Sequence, residues 1–262
     1  MKRTILLFGL LLTSALALAS TANTADGSRS NEKSNTQQAN STMKNVLLIG
    51  ANGDTSREII PRLLEQQDVK LTLFLRRASR MENMRSERVD LVEGDATRVE
   101  DLNRAARGQD IVISTMGGLD LDVKTANIVK AMQEVGAHRI IIISAGGIYD
   151  ELPEPFNAWD KGRVGEYREV NRRAADVVEQ SSLAYTVLRP VWLTDKATEE
   201  VELTRKGQTF KGTETSRASL ARLIADLVKD PAKHVNESLG VSQPNTDGDR
   251  PEAYRSILRR WF

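Results

Sequence analysis

The sequence predicts an α/β fold in which helices cover both faces of one doubly wound parallel sheet. Short apolar runs alternate with amphipathic helical patterns, and such alternation gives right-handed βαβ units. Several of the apolar runs are uninterrupted aliphatic or β-branched stretches, which is typical of strands covered on both faces. The predicted strands span residues 46–49, 71–75, 89–92, 111–114, 140–144, 185–188 and 239–242.

Helical periodicity fills the intervals between the predicted strands. In residues 216–229, the side chains of Leu220, Ile224 and Leu227 share one face, and Ser216 suits the N-cap position. The last predicted helix spans residues 252–259 and belongs to a small C-terminal extension on the substrate side of the sheet. The other predicted helices span residues 56–66, 99–107, 123–135 and 164–180.

Composition excludes several classes of function. The 262 residues carry 37 Lys and Arg against 36 Asp and Glu, so the chain lacks the basic excess expected for a nucleic-acid or anionic-membrane partner. Because the chain has no Cys, it has no disulfide, no thiolate metal site and no Cys nucleophile. The two His residues, His138 and His234, are far apart in sequence, so neither a metal site nor a Ser-His-Asp triad is expected.

The first 42 residues are predicted to precede the folded domain. Residues 1–19 combine a basic start, an apolar stretch over 5–19 and small residues at Ala17 and Ala19, which is the pattern of a cleaved signal peptide. Residues 20–42 form a polar linker that is expected to be disordered, because 15 of these 23 residues are Ser, Thr, Asn or Gln.

Two localisations follow from this pattern. Cleavage predicts an exported protein, periplasmic or secreted, with no stable membrane insertion afterwards. An uncleaved anchor is the alternative for residues 5–19, although this stretch is shorter than the roughly 20 residues of a membrane span. Met43 also looks like a natural start, and translation from it predicts a cytoplasmic protein. In both cases the folded domain spans residues 43–262.

A glycine-containing loop joins the first predicted strand to the first predicted helix. Glycines permit a tight turn there, backbone N–H groups approach a pyrophosphate, and the helix N-terminus adds partial positive charge. An ordinary turn is the alternative, but the position at the first βα junction favours a Rossmann-like dinucleotide site. The candidate cofactor-binding residues of this loop are Gly50, Asn52, Gly53, Asp54, Thr55 and Ser56.

The end of the second predicted strand indicates which dinucleotide is bound. NAD sites usually place an acidic residue there to bind the ribose hydroxyls, whereas here Arg76 and Arg77 follow the strand and the first acidic residue is Glu82. Guanidinium groups bind a 2′-phosphate that a carboxylate would repel. The sequence therefore predicts NADP(H) as the cofactor, with two solvated surface arginines as the alternative.

Two further strand ends carry candidate cofactor residues. Asp95 and Ala96 follow the third strand, where a carboxylate can reach the adenine amino group. Thr115, Met116 and Gly117 follow the fourth strand, where small residues let the chain pass beside the cofactor. These positions together mark the carboxyl ends of successive strands, where open α/β sheets bind ligands.

The sequence resembles the atypical short-chain dehydrogenase/reductase superfamily, especially its NmrA-like and NAD(P)H-binding members, which include flavin and biliverdin reductase-like proteins. The resemblance covers roughly residues 45–230. It implies a Rossmann-like domain that binds NADP(H) and a small-molecule substrate. The segments that carry it are 50–53, 94–95, 144–149 and 183–190, together with Gly212, Ser216 and Arg217.

The sequence departs from the family pattern at two positions. Ser56 replaces the usual third glycine of the loop, a change expected to affect packing more than binding. In the family's Tyr-x-x-x-Lys motif, Tyr167 occupies the Tyr position and Asn171 the Lys position, so the charge that would lower the Tyr pKa is missing. The resemblance implies Ser144 and Tyr167 as catalytic candidates and Tyr149 as a second donor; a capping serine and two partly buried aromatics are the alternative.

Two functions are compatible with these residues. The first is an oxidoreductase that transfers hydride from NADPH to a small acceptor, which the family resemblance implies to be flat and aromatic. The missing Lys is compatible with this reaction, because a flavin or quinone can take its proton from water. The second is a non-catalytic NADP(H) sensor of the NmrA-like type that acts through a protein partner, and Asn171 favours it. Whether the protein is an enzyme is left open by the sequence.

Overall fold

The computed structural model describes residues 43–255 of the chain. The helices are α1 (Asp54–Leu64), α2 (Val99–Ala106), α3 (Leu121–Val135), α4 (Phe156–Val164), α5 (Glu166–Glu179), α6 (Arg217–Lys229) and α7 (Glu252–Arg255), with a 3₁₀ segment at Ala78–Met84. The strands are β1 (Lys44–Ile49), β2 (Val69–Leu75), β3 (Val89–Glu93), β4 (Ile111–Ser114), β5 (Arg139–Ile143), β6 (Ala184–Pro190), β7 (Trp192–Thr194), β8 (Glu202–Arg205), β9 (Glu214–Ser216) and β10 (Glu237–Ser242).

Eight strands form one sheet in the order β3-β2-β1-β4-β5-β6-β10-β8. All neighbouring strands run parallel except the edge strand β8, which pairs antiparallel with β10. The chain builds outward from β1 to β3 and then returns to β4 on the other side of β1. This reversal opens a crevice at the carboxyl ends of β1 and β4, the usual ligand position of such sheets. The predicted doubly wound parallel sheet is confirmed.

Each central strand supplies both hydrophobic cores of the domain. Val46 and Leu48 of β1 face the core beneath α1 and α6, whereas Leu47 and Ile49 face the core beneath α2, α3 and α5. All four side chains are buried. Because successive strand residues point to opposite faces, a strand buried on both sides reads as an unbroken apolar run.

The long helix predicted over residues 164–180 is wrong at its start. Gly165 adopts φ +47° and ψ −128°, which ends α4 at Val164 and starts α5 at Glu166. The break therefore makes α4 a separate short helix that precedes α5. The tail of the predicted helix 252–259 and the predicted signal peptide and linker over 1–42 lie outside the described residues.

The strands β7 and β9, which the sequence did not predict, form a two-stranded parallel ladder in the extension. β7 pairs with β9, with Trp192 opposite Glu214 and Thr194 opposite Ser216. Ser216 then caps α6, because its hydroxyl accepts the backbone N–H of Ser219 at 2.9 Å. The ladder therefore places the start of α6 beside the segment that follows β6.

Two negative findings apply to residues 43–255. No helix in this range is long and apolar enough to span a membrane. No group of three or more His, Asp or Glu side chains in the same range is arranged to hold a metal ion.

Candidate functional site

A cavity of about 470 Å³ opens at the carboxyl ends of the parallel strands. Its cofactor side is lined by Thr55 at the start of α1 and by Thr115, Met116 and Gly117 after β4. Its opposite side is lined by residues of α4, α5, the segment after β6 and α7. The predicted loop residues and the substrate-side extension therefore border one space.

The glycine loop is pinned to the end of the sheet. The backbone N–H groups of Gly50 and Ala51 both donate to the carbonyl of Phe74, at 3.1 and 3.3 Å. Gly50 has φ +85°, and a Cβ at this position would lie 2.9 Å from the Thr115 hydroxyl oxygen. Only glycine fits this turn, because the backbone conformation and the close approach of Thr115 both exclude a side chain.

The Ser56 side chain also holds the glycine loop in place through hydrogen bonds. Its hydroxyl donates to the Gly50 carbonyl at 3.0 Å and shares a 2.8 Å hydrogen bond with the Thr115 hydroxyl. The Ser56 side chain is fully buried. The serine at the third glycine position therefore joins the loop to the end of β4, and its hydroxyl is used within the protein.

The N-terminus of α1 fits the diphosphate of a dinucleotide. Gly53 occupies the N-cap position without a side-chain hydrogen bond to the helix, so the first N–H groups of α1, at Asp54 and Thr55, keep their capacity to donate. The Asn52 side chain is oriented by Arg57, which donates to its Oδ1 at 3.0 Å. Arg57 was not predicted from the sequence, although its place in the first turn of α1 was visible there.

Arg76 and Arg77 are both exposed at the end of β2. Arg76 lies near Asp95, and its charge helps to lower the pKa of that carboxyl. The larger cause of this lowering is Thr97, whose N–H and hydroxyl both donate to Asp95 Oδ1 at 2.9 Å. The Asp95 carboxylate is thus engaged in a local turn, and neighbouring Ala96 is buried, so neither residue lines the cavity.

Ser144 and Tyr167 both line the cavity, as the family resemblance implied. Ser144 Oγ donates to the backbone carbonyl of Asn171 at 3.1 Å. The Tyr167 hydroxyl has no hydrogen-bond partner within residues 43–255 and would lie 3.6 Å from a Cβ at Gly117. Tyr167 is therefore a free donor on the cofactor side of the cavity.

Asn171 does not face the cavity. It is fully buried, and its Nδ2 donates to the Tyr167 carbonyl at 2.8 Å. Its Oδ1 has no partner within the described residues. The Lys position of the family motif is thus filled by a buried residue behind Ser144.

Tyr149 also lies outside the cavity lining. Its hydroxyl donates to Glu179 Oε1 at 2.6 Å, and its ring lies 4.4 Å from the Arg172 guanidinium and 4.1 Å from Lys206 Nζ. Burial, followed by the hydrogen bond to Glu179, raises the pKa of Tyr149. The structure gives Tyr149 a packing role, so its prediction as a second proton donor is wrong.

An aromatic wall closes the substrate side of the cavity. Trp192 and Tyr254 line it, with their ring centres 5.3 Å apart, and Trp159 of α4 packs edge-on against both at 4.9 and 5.1 Å. Tyr254 was not predicted at this site, because it reaches the cavity through the fold of the C-terminal segment.

A buried ion pair stands behind this wall. Asp160 of α4 accepts a hydrogen bond from Arg168 of α5 and a second one from Trp192 Nε1 at 2.7 Å. Both charged side chains are buried, and both line the cavity. The pair fixes the orientation of the Trp192 ring. It was not predicted, because Asp160 lies in α4, where the sequence predicted no helix.

A family model for NAD(P)H-binding proteins matches residues 50–231, which include the glycine loop and both sides of the cavity. The chain belongs to this NAD(P)H-binding family. The matched residues include the glycine loop, the strand ends and Trp192, whereas Tyr254 lies beyond them.

Solved bacterial structures agree with this membership. A Rossmann-fold NAD(P)-binding family protein from Shigella flexneri is 39% identical, with a TM-score of 0.68 over 80% of this chain and 98% of that chain. A wide-type short-chain dehydrogenase/reductase from Veillonella parvula DSM 2008, solved in complex with NADP, is 28% identical, with a TM-score of 0.75 over 80% and 99%. An anaerobilin reductase from Escherichia coli O157:H7, 23% identical over 78% and 100% with a TM-score of 0.69, shares the fold. The resemblance to atypical short-chain dehydrogenases/reductases is confirmed.

Proposed function

We propose that this NAD(P)H-binding protein transfers hydride from NADPH to a small, flat aromatic acceptor. The observation that carries the proposal is the shared cavity, in which Thr55 and Gly117 lie on the cofactor side and Trp192 on the acceptor side. A cavity of about 470 Å³ suits a small ligand, since such sites usually measure ~300–1,000 Å³.

The preference for NADPH over NADH rests on the end of β2. Arg76 and Arg77 are exposed there, and within residues 43–255 no side-chain hydrogen bond or ion pair engages either guanidinium group. A guanidinium group binds the 2′-phosphate of NADP through paired, charge-assisted hydrogen bonds. The Veillonella parvula structure with NADP supports the same cofactor.

The residues of the chain bind the cofactor, orient the acceptor and donate a proton to it. The first N–H groups of α1, at Asp54 and Thr55, hold the diphosphate, and the aromatic wall positions a flat acceptor by stacking. NADPH supplies the hydride when it is bound. Tyr167 then donates its hydroxyl proton to an acceptor oxygen or nitrogen, because this hydroxyl is unpartnered in the cavity.

Ser144 has a more limited role. Its hydroxyl proton is engaged by the Asn171 carbonyl, so its oxygen faces the cavity as an acceptor. Ser144 therefore orients a donor group of the substrate. Tyr167 must act without the positive charge that the family Lys supplies, which favours acceptors that are easily reduced.

Calorimetric titration with NADPH and NADH tests the cofactor assignment. We expect wild-type protein to bind NADPH at least about tenfold more tightly, because a phosphate–guanidinium contact is charge-assisted. Arg76→Ala should remove most of this preference, whereas Arg85→Ala, an exposed arginine paired with Glu82, should retain it. Equal affinity for both cofactors in the wild type would refute the assignment.

An NADPH-oxidation screen then tests catalysis. Quinones, flavins and aldehydes are the appropriate panel, because they differ in whether hydride transfer needs an added proton. Turnover with any of them supports the oxidoreductase. Tight NADPH binding without oxidation of any member would instead identify a sensor.

A further inference from the structure

Within residues 43–255, Arg217 is the one cavity-lining cation whose counterion is an exposed surface carboxylate. Among the lining residues, the charged ones are Asp160, Arg168 and Arg217. Asp160 and Arg168 neutralise each other in a buried pair. The remaining charge of the lining is therefore the single positive charge of Arg217.

The carboxylate that balances Arg217 is easily displaced. Asp195 Oδ1 lies 2.5 Å from Arg217 Nη1, but the Asp195 side chain is 87% exposed, whereas that of Arg217 is 21% exposed. Asp195 belongs to the stretch after β7 that has no regular secondary structure. An ion pair with such an exposed partner contributes little stability, so a competing anion faces only a small cost.

The Arg217 guanidinium also has unused donor capacity. Its Nε is buried and has no hydrogen-bond partner within the described residues. Nε and one Nη together form the fork that grips both oxygens of a carboxylate. Asp195 engages only Nη1, so the residue presents an incompletely used carboxylate-binding group.

The register of the small ladder places Arg217 on the acceptor side. Thr194 of β7 pairs with Ser216 of β9, and Arg217 directly follows Ser216. Arg217 therefore lies beside the end of β7, the strand that carries Trp192 and Leu193. Both of these side chains line the cavity. A ligand that stacks on this wall therefore has Arg217 at its edge.

We propose that the acceptor carries an anionic group, most simply a carboxylate, which replaces Asp195 on Arg217. The proposal rests on the proposed function for the use of the cavity as an acceptor site. It adds that the acceptor is both planar and acidic, and that Asp195 occupies the anion position until the acceptor arrives.

Paired aromatic probes test this recognition without turnover. Binding of 2-naphthoate and of its neutral analogue 2-naphthamide is measured by calorimetry, with and without saturating NADP⁺. Wild-type protein should bind naphthoate about tenfold more tightly than naphthamide, because only the carboxylate makes charge-assisted bonds. Arg217→Gln should abolish this preference, and Asp195→Asn should raise naphthoate affinity about two- to fivefold without changing naphthamide affinity.

Arg222→Gln is the matched control, because Arg222 lies on the same helix, pairs with the exposed Asp226 and does not line this cavity. It should retain the wild-type preference. Equal affinity for the two probes, no binding of either at millimolar concentration, or an unchanged preference in Arg217→Gln would overturn the proposal.

Titration of Arg217→Gln with NADPH distinguishes the other source of an anion. If this variant loses NADPH affinity but keeps the naphthoate preference, Arg217 serves the cofactor diphosphate and the acceptor assignment is wrong. Failure of the proposed function would give a different result. NADPH would then not bind or not be oxidised, and the preference for naphthoate over naphthamide would still be measurable without nucleotide.

Discussion

The hydroxyl of Ser144 donates to the backbone carbonyl of Asn171 over 3.1 Å. Ser144 lines the cavity, and Asn171 is fully buried behind it. The position that carries Lys in the family motif is thus part of the packing beneath this cavity-lining serine.

Asn171→Lys should therefore destabilise the protein and fail to create a more active enzyme. An ammonium group at this position would be buried without a carboxylate partner, which costs roughly 3 kcal/mol or more in the free energy of unfolding. Urea unfolding measures the loss. Glu169→Lys introduces the same side chain at an exposed position of α5 and should change stability by at most about 1 kcal/mol. Faster turnover in Asn171→Lys would contradict this placement.

Tyr167→Phe and Tyr149→Phe should have opposite effects. Loss of the free Tyr167 hydroxyl should lower kcat for aldehyde acceptors by about 100-fold, with NADPH affinity unchanged. Quinones should respond less, since water can protonate them. Tyr149→Phe removes the bond to Glu179 and should cost about 1 kcal/mol of stability while leaving kcat unchanged. Steady-state kinetics on both variants measures these effects. A large loss of kcat in Tyr149→Phe with none in Tyr167→Phe would contradict the assignment.

Glu151→Ala should be strongly destabilising. Glu151 forms a buried ion pair with Arg189, whose pKa burial lowers to about 10. Removal of the carboxylate would leave a buried guanidinium without its counterion, at a cost of roughly 3–5 kcal/mol. Glu82→Ala breaks the exposed pair with Arg85 and should cost less than about 1 kcal/mol. Similar losses for both variants in denaturant unfolding would show that burial does not strengthen the first pair.

Glu179 should make stability depend on pH in the acidic range. Burial alone raises the pKa of its carboxyl, but hydrogen bonds from Lys206 and Tyr149 outweigh burial and leave this pKa below the ordinary 4.5. The resulting stabilisation is complete above about pH 4.5 and is lost as the pH falls through the folded-state value. Glu179→Gln should therefore be less stable than wild type near neutrality, and the difference should shrink on acidification.

A second variant, Lys206→Met, checks the cause of this dependence. Without the ammonium group the pKa of Glu179 should rise towards or above its ordinary value, so the loss of stability on acidification should become smaller than in the wild type or disappear. Thermal unfolding over a pH series measures both effects. Identical acid profiles for wild type and Glu179→Gln would contradict the assignment.

Export of the protein stays a prediction, because residues 1–42 lie outside the described residues. Cleavage after Ala19 should give a mature chain that begins at Ser20. Mass spectrometry of the N-terminus in the native host tests this. A chain that begins at Met43 or Lys44 would favour the cytoplasmic start.

The strands were predictable because each buried strand is apolar on both faces, so its sequence is a run without interruption. Tyr167 was predictable because the family motif places it beside the site. The helix α4 was not, since no helix was predicted before residue 164 and only the backbone shows that α4 ends and α5 begins at Gly165. Tyr254 and Arg217 reach the cavity through contacts distant in sequence, and the three-residue strands that position Arg217 are too short to give a periodic signal.

Ser56 has a consequence for how the protein responds to its cofactor. Its two hydrogen bonds hold the glycine loop against the end of β4 through protein groups alone. The conformational entropy of this loop is therefore lost during folding, and little ordering of the loop accompanies nucleotide binding. Such a loop is a poor reporter of nucleotide occupancy, so a signal to another protein would have to originate in the aromatic wall and the segment after β7.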